Sequence, residues 1–310
     1  MMFAFSLRDI VFVFLCVAGL SLAPSGMPSA LAQDKIDAAP PAARQPAPEK
    51  GITTRAIEAA KGAAKSAGDI LTRAPCLKPR GNAAKGSLPR VARKIADHEP
   101  VRIVAFGSSS TEGFGVSSPS YTYPNRLAAQ LRRAYPSADI TVVNLGKGGQ
   151  EVPDMIARLD TVLAEHPDLV IWQFGTNMVI RRHDIAQLAA LAEEGVSRMQ
   201  AAGADVVLVD PQYAPAVTAN KEGASKMVKL ISDVARLRRI AVFPRFEVMR
   251  QWHEDDKMPF ESFVIKDGLH MNDWGYACFA QLLGDTIIRS VGEVKSGVSV
   301  PSNVMTYRPM

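Results

Sequence analysis

Cysteine, histidine and tryptophan are scarce in this chain: its 310 residues hold three, five and three of them. So few Cys and His, none clustered at ligand spacing, argue against a metal centre, and nothing calls for a cofactor. No apolar run beyond residue 32 is long enough to cross a bilayer. The cluster "GKGG" (146–149) lacks the spacing and the Lys-Ser/Thr of a P-loop, which removes that kind of phosphate cradle. The G-x-S-x-G elbow of ordinary α/β-hydrolases is also missing, because Thr111 stands two residues after Ser109. Basic and aromatic residues are not interleaved as a nucleic-acid surface requires.

What is present begins with an export signal. Arg8 precedes "IVFVFLCVAGLSLA", and "SALAQD" offers an A-x-A site with cleavage expected after Ala32. Leu15 before Cys16 argues against a lipoprotein, so we expect an exported, periplasmic protein. Cleavage leaves Cys76 and Cys278, and an even pair in an oxidising compartment suggests one disulfide, two buried thiols being the alternative.

The net charge of +5 is unevenly distributed. Residues 33–99 carry 13 Lys/Arg against 7 Asp/Glu, which leaves the remainder of the mature chain close to neutral. The basic stretch is a solvated arm or a weak contact for an anionic envelope surface. Within it, residues 33–50 are Pro/Ala-rich and read as a linker, followed by a weak amphipathic helix over 54–71. We assign 1–32 to the signal, 33–99 to linker and arm, 100–295 to one catalytic domain and 296–310 to a tail.

From Val101 the texture changes. Nearly continuous apolar runs at 101–106, 140–145, 169–174, 205–210 and 240–243 predict strands buried on both faces. Helical periodicity fills the intervals at 123–135, 151–165, 185–203 and 224–239, and a last helix begins near Asn272. Five β-α repeats predict a three-layer α/β sandwich with right-handed crossovers, its site at the carboxyl ends of the strands.

Four short blocks fall at that edge. "GSSSTEG" (107–113) follows the first strand, "NLGKGGQ" (144–150) ends the second, "QFGTNM" (173–178) ends the third, and "KDGLHMNDWG" (266–275) precedes the last helix. Each alone is weak: a serine-rich turn is commonly a helix cap, and Asp-x-x-His is commonly a surface pair. In order and on these elements they resemble the SGNH (GDSL-like) hydrolases. The resemblance implies a five-stranded parallel sheet in flavodoxin-like order and a serine esterase chemistry. It places the nucleophile at Ser109 and closes the block with Gly113. It makes Gly149 and Asn177 oxyanion donors beside the Ser109 N–H, and His270 with Asp267 the base and its partner. Ser108 stands where the family usually has Asp, and Met178 where G-x-N-D ends. The roles fit the residue types: a serine hydroxyl needs a base during attack, a carboxylate orients that base, and a tetrahedral oxyanion needs fixed donors.

The substrate expected is an acyl ester, short and O-acetyl-like, plausibly on envelope carbohydrate. Alternatives are acyl transfer to a glycan, a lysophospholipase- or thioesterase-type lipid hydrolase, and a non-catalytic glycan-binding module. Trp172 is expected in the core, Trp274 and Tyr276 in the packing of the last helix, and Tyr213 and Trp252 as walls of a pocket. Arg181 and Arg182 are candidates for an anionic substrate or for helix-flanking positions.

Overall fold

The structure is a computed structural model that describes residues 76–77, 86–185 and 187–295. The expected signal peptide, linker, weak helix at 54–71 and C-terminal tail lie outside the described residues. Strands β1 (Val101–Gly107), β2 (Ile140–Gly146), β3 (Leu169–Gln173), β4 (Asp205–Val209) and β5 (Ala241–Phe243) pair in parallel in the order β2-β1-β3-β4-β5. Each lies within one residue of its predicted span at either end, and the order is the flavodoxin-like one.

The helices, in chain order, are α1 (Pro89–Ala96), α2 (Ser109–Glu112), α3 (Tyr123–Ala134), α4 (Val152–Ala157), α5 (Leu159–Leu163), α6 (Thr176–Arg181), α7 (Leu188–Ala201), α8 (Pro215–Thr218), α9 (Lys221–Arg238), α10 (Arg245–Arg250) and α11 (Asp273–Lys295). None among the described residues is long and apolar enough to cross a membrane.

Strand alternation sorts the core into two layers. Ile103, Ala105, Leu169, Ile171, Val207 and Phe243 face one side, where α1, α3, α10 and α11 supply Val91, Leu127, Val248 and Leu283. Val104, Phe106, Val170, Trp172 and Leu208 face the other, where α4, α5, α7 and α9 supply Met155, Leu159, Val196 and Ile231. Trp172 is fully buried as expected, and its indole N–H meets the Met155 sulfur at 3.2 Å. Gly195 lets α7 approach that ring, since a Cβ there would stand 2.7 Å from it. Tyr276 is buried in the last helix, again as expected.

Two local features differ from the sequence reading. The helix expected at 151–165 is broken at Arg158, whose backbone leaves the helical region. Its guanidinium turns inward instead, donating to the Leu145 carbonyl at 2.8 Å and lying over the Phe106 ring. Helix α1, in the stretch assigned to the arm, was not anticipated. Val91, Ala92 and Ile95 on one face of α1, with Leu88 just before it, are buried, at about 1.5–3 kcal/mol for each larger side chain. Asp205 accepts the Val91 N–H at 3.0 Å and Asp168 takes Arg90 at 2.7 Å, which pins α1 to the amino end of the sheet.

Cys76 and Cys278 are joined as a disulfide with their Cα atoms 5.3 Å apart. The bond ties the chain ahead of α1 to the buried face of α11, where Trp252 also donates to the Leu77 carbonyl. It closes a separation of 202 residues, for which the chain-entropy account gives about 5 kcal/mol of stabilisation. Thiol titration of the unreduced, denatured protein should therefore find neither cysteine free, and Cys76→Ala should lower the unfolding free energy by several kcal/mol. Two titratable thiols would contradict the pairing.

Candidate active site

Strand β1 ends in Gly107, and the chain turns at once into α2, placing Ser109 on the first turn above the carboxyl edge of the sheet. Gly107 is required: a Cβ there would run into Thr111 and Gln173. Gly113 closes the short helix in the left-handed region with φ 105°. The resulting turn holds the Ser109 side chain partly open between buried Ser108 and Ser110.

Ser109 Oγ lies 2.8 Å from His270 Nε2, and His270 Nδ1 lies 2.6 Å from Asp267 Oδ2. The other oxygen, Oδ1, accepts the backbone N–H groups of Leu269 and His270, both at 2.9 Å. Burial pushes the Asp267 carboxyl up, but these hydrogen bonds outweigh it and hold the group below the ordinary carboxylate range. Asp267 is thus ionised at neutral pH and anchored at both oxygens, so the imidazole has one orientation, with Nε2 toward Ser109.

The other two blocks meet beside this pair. Gly149 sits in the left-handed region with φ 74° on the loop after β2. Asn177, almost fully buried on the first turn of α6, donates from Nδ2 to the Gln150 carbonyl at 2.8 Å. That bond uses one hydrogen of the amide and leaves the second for another acceptor. The β2 loop is tied from three further sides. Gly148 N–H donates to Glu112 at 2.9 Å, Gln150 Oε1 accepts from Arg158 at 2.6 Å, and Glu151 receives Arg181 at 2.6 Å and His183 at 3.0 Å. Arg181 is therefore engaged in an ion pair, and Arg182 caps α6 in the left-handed region. Of the residues singled out from sequence, Ser109, Asp267, His270, Gly149 and Asn177 lie at one edge of the sheet, and Cys76 and Cys278 form the disulfide.

Trp252 is not a pocket wall. It is 1% exposed, packed between Phe263 and Trp274 in the core, because the π-helical turn at Gln251–Asp255 carries it inward. Tyr213 remains partly open and stacks near Phe260. A groove of about 1030 Å³ between α7 and α9, lined among others by Ala189, Glu193, Lys226 and Leu237, includes neither Ser109 nor His270.

Sequence reasoning missed the supports under the site. Buried Gln173 accepts from the Ser108 N–H at 3.1 Å, the Ser108 hydroxyl at 3.2 Å and the Thr111 hydroxyl at 3.2 Å. Ser108 thus replaces the expected Asp with a hydroxyl that Gln173 holds. The signal was available, since Gln173 is a lone amide at the end of an apolar strand. Deeper still, Arg245 is fully buried, donating to the Asp210 carbonyl at 3.0 Å and to Gln212 Oε1 at 2.8 Å. Gln212 also accepts from Thr176 at 2.9 Å and donates to the Leu269 carbonyl at 3.3 Å, linking the Asn177 block to the His270 loop. Burial lowers Arg245 to about 10 and raises Asp210 to about 7 and Tyr123 to about 12, a single cause acting on cation and acids in opposite senses.

Among curated proteins none matches this sequence. The Non-GDSL lipase-like family matches residues 75–293. Several solved structures share the fold. A two-domain esterase (CEX) active on acetylated mannans, co-crystallised with mannopentaose, superposes with a TM-score of 0.58 at 22% identity, over 68% of this chain and 56% of that one. This chain therefore spans little more than half of that protein. TesA gives 0.52 at 23%, over 61% and 99%. A catalytic mutant of Axe2, an acetylxylan esterase from Geobacillus stearothermophilus, gives 0.53 at 18%, over 62% and 94%.

Gly146 offers a test of this geometry. An added Cβ there would run into the Glu112 backbone, which unlike a flexible side chain cannot yield. Gly146→Ala should cost about 1–3 kcal/mol of stability, read as a lowered melting temperature. An unchanged melting temperature would mean that β2 and α2 are not so closely apposed. The match over most of the chain makes this chain a member of the Non-GDSL lipase-like family, and its parallel sheet brings the four blocks to one edge.

Proposed function

We propose that the chain hydrolyses short acyl esters, O-acetyl groups on carbohydrate foremost, through an acyl-enzyme on Ser109. The observation that carries the reading is the unbroken chain from Ser109 through His270 to Asp267, at 2.8 and 2.6 Å. In acylation Ser109 Oγ bonds to the ester carbonyl carbon while His270 Nε2 takes the hydroxyl proton. The bond to the alcohol oxygen then breaks, and His270 returns the proton to that oxygen. Deacylation repeats both steps with water as nucleophile, releasing the carboxylic acid and free Ser109. Asp267, ionised, stabilises the imidazolium of each half-reaction. The oxyanion of each tetrahedral intermediate is assigned to the N–H groups of Ser109 and Gly149 and the second amide hydrogen of Asn177.

Support for a short acyl group lies in what borders the serine. The β2 loop beside it carries Gly148, Gly149 and Gln150, and no long apolar channel residues follow the blocks. Each CH₂ gripped by such a channel would be worth about 0.8 kcal/mol, the gain on which a preference for long acyl chains depends. The carbohydrate side is supported by the shared fold of the mannan-active and acetylxylan esterases. The disulfide suits a protein working outside the cytoplasm, in keeping with a periplasmic location.

A p-nitrophenyl ester series on the purified mature protein tests this reading. Catalytic efficiency should peak at acetyl to butyryl and fall beyond about C4–C6. Asn177→Ala should lower kcat by about 10²–10³ with the fold intact. A profile that climbs through C10 would instead point to a lipid substrate. Release of acyl groups only when a sugar acceptor is added would point to a transferase.

A further inference from the structure

Exposed large hydrophobic side chains among the described residues are Leu77, Phe114 and Leu237. Phe114 is the one that touches the reacting groups. It directly follows Gly113, which closes the serine turn, and its ring centroid lies 4.4 Å from that of His270 at an interplanar angle of 47°. Yet 54% of the residue remains exposed, so the contact uses only part of the ring.

The backbone beneath that ring is fastened on every side. Phe114 N–H donates to the Ser109 carbonyl at 2.9 Å, and its carbonyl accepts the buried Tyr276 hydroxyl at 2.8 Å. Gly115 follows in the left-handed region, pressed so closely on the His270 loop that a Cβ would stand 2.7 Å from the Met271 carbonyl. Ser117 then donates from its N–H to Asp273 at 2.9 Å. A segment anchored this firmly offers a rigid aromatic face to solvent beside the imidazole. Burial cannot be the reason for a phenyl ring there.

The side of the site on which the ring stands follows from the chemistry. His270 hands its proton to the leaving alcohol oxygen, so the alcohol half of an ester must lie against the imidazole. The carbonyl oxygen lies away from it, toward the Gly149 and Asn177 loops. Phe114 packs on that same imidazole, and so stands next to the group that meets the alcohol half. We infer that Phe114 is the platform for that alcohol, taking the C–H face of a pyranose ring against its phenyl ring. The inference rests on the ester-hydrolase reading and adds what the enzyme recognises on the leaving-group side.

Binding and turnover test it separately. An O-acetylated methyl pyranoside is titrated by ligand-observed NMR into the inactive Ser109→Ala protein, with and without Phe114→Ala or Phe114→Trp. The Ala change should weaken Kd about tenfold and Trp should preserve it, the scale of one aromatic contact, while Leu237→Ala serves as a surface control and leaves Kd unchanged. In the enzyme with Ser109 intact, Phe114→Ala should lower the ratio of kcat/KM for this pyranoside ester over ethyl acetate by a similar factor. Equal Kd values for Phe and Ala, or no binding of the pyranoside to Ser109→Ala protein, would overturn the platform. If esters are hydrolysed and neither Kd nor the ratio moves, the platform fails and the esterase reading stands. If the pyranoside binds through Phe114 but no ester is cleaved, the esterase reading fails and the platform stands.

Discussion

The hydrogen bond between Ser109 and His270 joins positions 161 residues apart in the chain, one following the first strand and the other following the last. Its length of 2.8 Å tolerates little displacement of either loop, so the whole arrangement is subject to it. The parallel sheet meets this constraint by bringing every strand to end at the same edge. The glycines at that edge then let the chain turn without a Cβ in the way. Gly107 admits the serine turn, Gly146 admits the close approach of β2, and Gly115 lets the Phe114 loop lie on the His270 loop.

Below the edge, fixity comes from polar groups in a place that favours apolar ones. Gln173 braces the serine turn, and Arg245 with Gln212 braces the Asn177 and His270 blocks from beneath. A buried guanidinium is costly to desolvate, and deleting one partner would leave the others uncompensated. The opposite displacements of Arg245 and Asp210 from their ordinary titration ranges express that cost. Such a layer gives up some stability relative to an apolar core, and on the proposed chemistry it fixes the direction of the groups above it.

The strands were legible because both faces of a parallel sheet are buried, which writes long apolar runs into the sequence. The blocks were legible because the reacting residue types are few and lie at fixed offsets from strand ends. What stayed hidden depends on through-space neighbours. Helix α1 reads as part of a basic arm because Arg90, Arg93 and Lys94 surround its apolar face, and its docking depends on distant partners, the core that buries Val91 and Ile95 and the carboxylates of Asp168 and Asp205. Trp252 looks like a pocket wall by its position in a long loop, yet the π-helical turn points it into the core. Phe114 looks like an ordinary loop aromatic until its ring is seen on His270.

The central claim is that Ser109, and neither adjoining serine, forms the covalent bond. Buried Ser108 is held by Gln173 and Ser110 is buried at the back of the turn, so only Ser109 combines access with a base. Treatment with an organophosphonate followed by peptide mass mapping reads this directly. The account predicts one adduct per chain, placed on Ser109 by fragment masses within 107–113. An adduct on Ser108 or Ser110, or none in a protein that still cleaves esters, would contradict it.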